Sequence, residues 1–205
     1  VVATIDGTKH EYFVERLNRV DPQQRDSRHP TLLILKFPGT AGRAERASGW
    51  PSAHLPNVDV KICTWNAPGY GSSSGRATLT NIATGAVAFW EHFVADVDAS
   101  LTRVWLVGNS LGCDTATYLA SRVDTGVHGL VLRNPPLLIE TVKRVARKYP
   151  LGHLTDPIAE SLPDVMNLSV TAPKAGVPTV MLQSEHDNLV PPELHMEVYH
   201  ALSGP

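Results

Sequence analysis

The stretch from residue 102 to 123, TRVWLVGNSLGCDTATYLASRV, constrains this chain more than any other. A short apolar run, Val104 to Val107, ends at Gly108. A serine stands at Ser110, and Ala116, Leu119, Ala120 and Val123 then recur at helical spacing. The pentapeptide Gly108-Asn109-Ser110-Leu111-Gly112 fits G-x-S-x-G, the pattern of a nucleophile elbow. The residue types have a mechanical reason. A turn that passes directly from strand to helix forces the serine into a strained backbone conformation. Side chains two positions to either side would meet neighbouring backbone, so both positions are glycine. The hydroxyl is then exposed at the carboxyl end of a strand, and the N–H groups that open the helix point to where negative charge would develop. The plain alternative is a strand-turn-helix with a capping serine, and the strand before and the helix after weigh against it.

With 205 residues, 42% hydrophobic and 19% charged, the chain suits one globular domain over residues 1–205. A net charge of -2 with scattered basic residues gives no footprint for a nucleic-acid partner. The densest basic cluster, Lys143, Arg144, Arg147 and Lys148, falls on one helical stretch and reads as a solvated face. No apolar run approaches the roughly 20 residues of a membrane span, no signal peptide is visible, and no feature bears on oligomeric state. The two cysteines, Cys63 and Cys113, lack zinc-ligand spacing and read as buried free thiols, a lean toward a reducing, cytoplasmic setting.

Along the chain, VVATI and EYFVERL flank Asp6-Gly7-Thr8, a hairpin signal. Residues 18 to 30 are polar and read as loop. TLLILKF (31 to 37) is a continuous apolar run, the mark of a strand covered on both faces. Residues 44 to 55 are expected to hold a helix, interrupted or started at Pro51, 58 to 65 a strand and 78 to 100 a helix. Further strands are expected at 129 to 134 and 177 to 183, and a last helix at 193 to 202. Residues 137 to 175 break the rhythm with two helical pieces, 138 to 149 and 156 to 167, and read as a small insertion or lid. Strands alternating with helices predict an α/β fold, a mostly parallel central sheet flanked by helices with the opening hairpin as an antiparallel edge.

Four stations in the right order resemble the α/β-hydrolase family. Phe37-Pro38-Gly39-Thr40 resembles the His-Gly-x loop after the family's third strand. Asn66-Ala67-Pro68-Gly69-Tyr70-Gly71-Ser72-Ser73 resembles the Asp-x-x-Gly-x-Gly-x-Ser loop after the fourth. The elbow follows, and Asp187-Asn188-Leu189-Val190-Pro191 resembles the Asp-x-x-Val-Pro loop after the seventh. Where the family often has a histidine before its glycine-bearing loop, this chain has Lys36-Phe37-Pro38.

The resemblance implies an acyl-transfer site with Ser110 as nucleophile, Asp187 as the acid, and the backbone N–H groups of Thr40 and Leu111 as oxyanion donors. It implies a small-molecule acyl substrate, a carboxylic ester, thioester or amide, and no metal or cofactor. Glu185 is a weaker alternative to Asp187, and Asp114, four residues past Ser110, reads as a structural hydrogen-bonding group. Tyr70 and the serines 72 to 74 read as turn formers, with a pocket wall as the alternative, and Leu137, Leu138, Ile139, Val142 and Val145 as either an acyl pocket or insertion packing. The base is the gap. The family order Ser, Asp, His places a histidine after one more strand, and the sequence stops at Pro205 before it. His186 adjoins Asp187 in sequence, and His195 and His200 fall on the last helix as surface or capping residues. Two readings stay open, a shortened chain, which is the expectation, and a non-catalytic binding protein on the same fold.

Overall fold

The computed structural model describes residues 1–18, 30–40, 42–46, 49–55, 58–95, 97–122, 126–185, 187 and 189–202. The chain opens with β1 (Val2–Ile5) and β2 (Thr8–Asn18), an antiparallel hairpin in which Ile5 faces Thr8. Asp6 and Gly7 both take positive φ, 49° and 75°. That is the backbone a two-residue turn needs to match the twist of its strands.

Five more strands follow: β3 (Leu32–Phe37), β4 (Asp59–Asn66), β5 (Arg103–Asn109), β6 (Gly129–Arg133) and β7 (Thr179–Leu182). They pair in parallel, and β2 joins β4 antiparallel. The result is one seven-stranded sheet in the order β1-β2-β4-β3-β5-β6-β7. All six residues of β3 are buried, as its unbroken apolar run predicts. Arg16 forks onto Asp59, its Nε donating to Oδ1 at 3.1 Å and its Nη2 to Oδ2 at 2.6 Å, which clamps β2 to β4.

Alternation along the strands divides the core in two. Leu33, Leu35, Phe37, Cys63, Trp65 and Leu106 point to the face covered by α1 (Leu79–Val94) and α2 (Leu111–Arg122). Leu32, Ile34, Val60, Ile62, Val107 and Val131 point to the other, where Trp50 and Leu55 pack. The first face is the aromatic one. Phe89 of α1 is fully buried, stacked on Trp65 with ring centroids 5.6 Å apart, and it meets Phe93 edge-on at 4.8 Å. Thr78 caps α1 by accepting the Asn81 N–H at 3.2 Å.

Two expected helices are not formed as read. Over 44 to 55 the chain makes only short 3-10 turns at Ala44–Arg46 and Ser52–His54, because Gly49 has an unrestricted backbone and Pro51 has no N–H to donate. Over 137 to 175 the pieces are shorter: α3 (Leu138–Ala146), α4 (Asp156–Glu160) and α5 (Leu168–Thr171), joined by 3-10 turns. Pro150, Pro157 and Pro163 set those breaks. The basic cluster on α3 is a clamp as well as a solvated face, with Lys143 2.9 Å from Glu160 and Arg147 2.9 Å from Asp156. Leu137 packs on Leu168 and on Val198 of α6 (Pro192–Ala201). The polar segment 19–29 and Val123 lie outside the described residues.

Phe89 carries the contact between the sheet and α1, so Phe89→Ala is expected to lower stability by about 3–5 kcal/mol, the usual cost of deleting a buried aromatic. Urea titration of both proteins, followed by circular dichroism, checks this.

Candidate functional site

The site is built at the carboxyl ends of the parallel strands. β5 ends at Asn109, α2 begins at Leu111, and Ser110 alone makes the corner, at φ 51°. A left-handed conformation at a residue with a side chain costs about 1–3 kcal/mol and persists only where its surroundings enforce it. Here backbone contacts enforce it. A Cβ at Gly108 would lie 2.5 Å from Cys113 Cα, and one at Gly112 would overlap the Phe37 carbonyl oxygen. The Ser110 N–H donates to the Arg133 carbonyl at 2.8 Å, and the Cys113 N–H donates to the Ser110 carbonyl at 2.7 Å. Ser110 is half-buried, and its hydroxyl has no hydrogen-bond partner among the described residues.

The loop after β3 rests on this corner. A Cβ at Gly39 would fall 2.9 Å from the Asn109 carbonyl and 3.0 Å from Ser110 Cβ. Gly39 then turns back, its carbonyl accepting the Gly42 N–H at 2.8 Å. Thr40 and Leu111 meet at the wall of one cavity of about 20 Å³, room for a single water. Their N–H groups donate to no other group among the described residues. Tyr70 lines the same cavity, so it is more than a turn former. Ser110 is not itself part of that wall and reaches it through its neighbours Leu111 and Gly39.

The loop after β4 is tied back to β2. The Glu11 carboxylate accepts from Asn66 Nδ2 at 2.7 Å and from the Ser72 N–H at 2.8 Å. These donors hold the Glu11 carboxyl below its ordinary range. Asn66 Oδ1 accepts the Ala44 N–H at 2.9 Å, joining this loop to the one after β3.

Asp187 lies after β7, at the same end of the sheet as Ser110. In the sheet, β6 lies between β5 and β7. One oxygen, Oδ1, accepts the N–H groups of Leu189 at 2.8 Å and Val190 at 3.0 Å, an Asx turn. The other takes no hydrogen bond among the described residues. The Asn134 side chain and Ser184 bond each other twice, at 2.7 Å and 3.0 Å, and so fix the loop leading to Asp187 against the end of β6. Glu185 is exposed.

His195 is fully buried on α6, against its reading as a surface or capping residue, and neither ring nitrogen has a partner among the described residues. The helix places it on the face that packs inward, which the sequence pattern alone did not reveal. Burial lowers its basicity, partly offset by the Asp187 carboxylate. His200 stays at the surface. No histidine among the described residues is hydrogen-bonded to Ser110, and His186, His29 and Asn188 lie outside them. Asp114 departs from its expected role. It is fully buried in α2 and neither oxygen finds a hydrogen bond among the described residues, so burial pushes its carboxyl well above the usual range. Cys63 and Cys113 are free and buried, with burial raising the Cys63 thiol to about 12. Leu137 and the α3 residues wall neither the Thr40–Leu111 cavity nor the elbow. No group of three or more metal-ligating side chains comes together among the described residues, and none of their helices is long and apolar enough to cross a membrane.

An antiparallel hairpin on a parallel sheet, with a serine corner after its fifth strand, is the layout of an α/β-hydrolase fold. The chain matches the family described as the alpha/beta hydrolase fold over residues 34–176, and it belongs to that family. Among curated proteins it is similar to alpha/beta hydrolase domain-containing protein WAV2 of Arabidopsis thaliana, 23% identical with 96% of this chain aligned. The chain spans 63% of the length of that relative. Solved structures with the same fold include an acetyl xylan esterase from Paenibacillus sp. R4, at TM-score 0.73 and 17% identity, covering 100% of this chain and 73% of that one. Est1E from Butyrivibrio proteoclasticus with bound ferulic acid matches at TM-score 0.70 and 17% identity, covering 100% of this chain and 86% of that one.

Gly39→Ala is expected to force the loop off the elbow and to cost about 1–3 kcal/mol, as overpacking does, read as a lower urea midpoint. Asp114→Asn tests the buried carboxyl. Because its pKa is raised in the folded state, Asp114 favours folding below its ordinary range and opposes it progressively as pH rises above that range. The variant is expected to melt higher than the parent at pH 7, with the gain shrinking toward pH 4. Thermal melts across that range check it.

Proposed function

We propose that the protein is a serine hydrolase that cleaves a carboxylic ester, thioester or amide of a small-molecule substrate through an acyl-enzyme on Ser110. The observation that carries the proposal is the left-handed backbone at Ser110, set between two glycines where no side chain fits. A protein keeps such strain where the exposed hydroxyl has work to do. Membership of the α/β-hydrolase family and a fold shared with an acetyl xylan esterase point the same way.

In this reaction Ser110 Oγ attacks the carbonyl carbon while a histidine oriented by Asp187 takes the hydroxyl proton. The carbonyl electron pair moves to oxygen, where the N–H groups of Thr40 and Leu111 stabilise it; one such donor is worth roughly 3 kcal/mol of barrier. Collapse expels the leaving group, which receives the proton from the histidine. Water then attacks the acyl-serine and gives its proton to the histidine, which passes it to Ser110 Oγ as the acyl bond breaks and the acid leaves. The free oxygen of Asp187 and the uncommitted N–H groups of Thr40 and Leu111 support these roles. The histidine is not among the described residues that touch Ser110. The chain is proposed to form one domain, with 137–175 as a small helical insertion or lid. No metal or cofactor enters the reaction.

The unpartnered Ser110 hydroxyl favours one second reading, a ligand-binding protein of the same family without turnover. A fluorophosphonate probe and p-nitrophenyl esters separate the two. Wild type is expected to label covalently and to release p-nitrophenol, and Ser110→Ala to do neither. Wild type that stays unlabelled, or labelling that survives in Ser110→Ala, removes the hydrolase reading.

A further inference from the structure

A second cavity, of about 310 Å³, adjoins the elbow on the sheet face away from α1 and α2. Four cationic side chains line it: Lys36 near the end of β3, Arg43 and Arg46 from the loop that follows, and Arg133 at the end of β6. Trp50 and Asn109 also contribute to the wall, and no carboxylate among the described residues does. Chain positions 36, 43, 46 and 133 are brought together only because β3, β5 and β6 are consecutive in the sheet.

The arginine charges are poorly compensated. Lys36 is 9% exposed in a strand whose other side chains are apolar, and its Nζ donates to the Trp50 carbonyl at 2.8 Å. Burial and the neighbouring charge of Arg133 lower it to about 8, with Glu15 acting against them. Arg133 lies over the Trp50 ring at 5.0 Å, a contact that fixes its direction without neutralising it. Arg43 reaches Glu45 only at 3.7 Å, an exposed and weak pair. Neither Arg46 nor Arg133 is paired with a carboxylate among the described residues. Like charges gathered around one cavity raise the local concentration of anions.

We infer that this cavity binds a small carboxylate or phosphate group, held by Arg46 and Arg133 with Lys36 beneath it. Resting on the hydrolase reading, that group is the ionised end of the substrate, which makes the substrate class acyl esters carrying a second, negatively charged group. The connection to the proposed chemistry is direct. Phe37, Pro38 and Gly42 wall both this cavity and the one shared by Thr40 and Leu111. Asn109 is the neighbour of Ser110, and the Arg133 carbonyl receives the Ser110 N–H. A substrate whose charge lies a few bonds from its scissile carbonyl spans the two.

The test has two arms. Calorimetric titration with succinate and with inorganic phosphate reads the site without any turnover, and comparing the two shows which anion it prefers. At least one is expected to bind, more weakly as salt rises, and Arg46→Gln and Arg133→Gln are each expected to weaken it about tenfold or more, the scale of a lost charge-assisted hydrogen bond. Both positions are exposed, so the variants are expected to fold, which circular dichroism verifies. The kinetic arm compares kcat/KM for p-nitrophenyl hemisuccinate and for the neutral p-nitrophenyl valerate. Wild type is expected to prefer the hemisuccinate, and the ratio is expected to fall toward one in both variants. Turnover of both esters without charge preference, together with no binding of either anion, overturns the subsite and leaves the hydrolase reading intact. Anion binding that the variants lose, in a protein that turns over neither ester, upholds the anion site and removes its role in a hydrolase.

Discussion

The contact on which the rest of this molecule depends is backbone against backbone, where the chain turns at Ser110. Gly112 sits against the Phe37 carbonyl and Gly39 against the Asn109 carbonyl. No side chain fits between them. That close approach pulls the loop after β3 onto the start of α2 and holds a left-handed serine at the corner. It also brings the N–H groups of Thr40 and Leu111 to one cavity. Hydrogen bonds from Ser110 to Arg133, and from Asn134 to Ser184, carry the same rigidity across the ends of β6 and β7. The geometry of this corner is set by where the strands end.

Several buried polar groups are out of keeping with an economical core. Asp114 and His195 are both fully buried without hydrogen bonds among the described residues, and each is pushed toward its neutral form. Lys36 shares the trait more mildly, and its Nζ donates to the Trp50 carbonyl. All three lie on elements that begin or end near the carboxyl edge of the sheet. The interior around the end that holds the elbow is thus not purely apolar, in contrast to the aromatic packing of Trp65, Phe89 and Phe93.

Membership of the α/β-hydrolase family explains the layout and leaves the chemistry to particular residues. The family often has a histidine before its glycine-bearing loop, and this chain carries Lys36 there. In the folded protein that lysine does not stand alone. Arg43, Arg46 and Arg133 join it around one cavity beside the elbow. Leu137 packs against Leu168 and Val198, and α3 is held to α4 by ion pairs at the surface.

The sequence by itself determined the parts whose physics is local. The Asp6-Gly7 turn, the buried run of β3, and the strand, serine and helix around Ser110 each depend on neighbours within a few residues, so their patterns were readable directly. Over 44 to 55 the sequence marked the break at Pro51 but not the short 3-10 turns at Ala44–Arg46 and Ser52–His54. Only the tertiary structure decided what depends on strand order: the burial of His195 and Asp114, the adjacency of Tyr70 to Thr40 and Leu111, and the meeting of Lys36 with Arg133. Those residues are up to a hundred positions apart. The physical reason is that burial and charge act through space, and only the packed sheet fixes which distant residues share it.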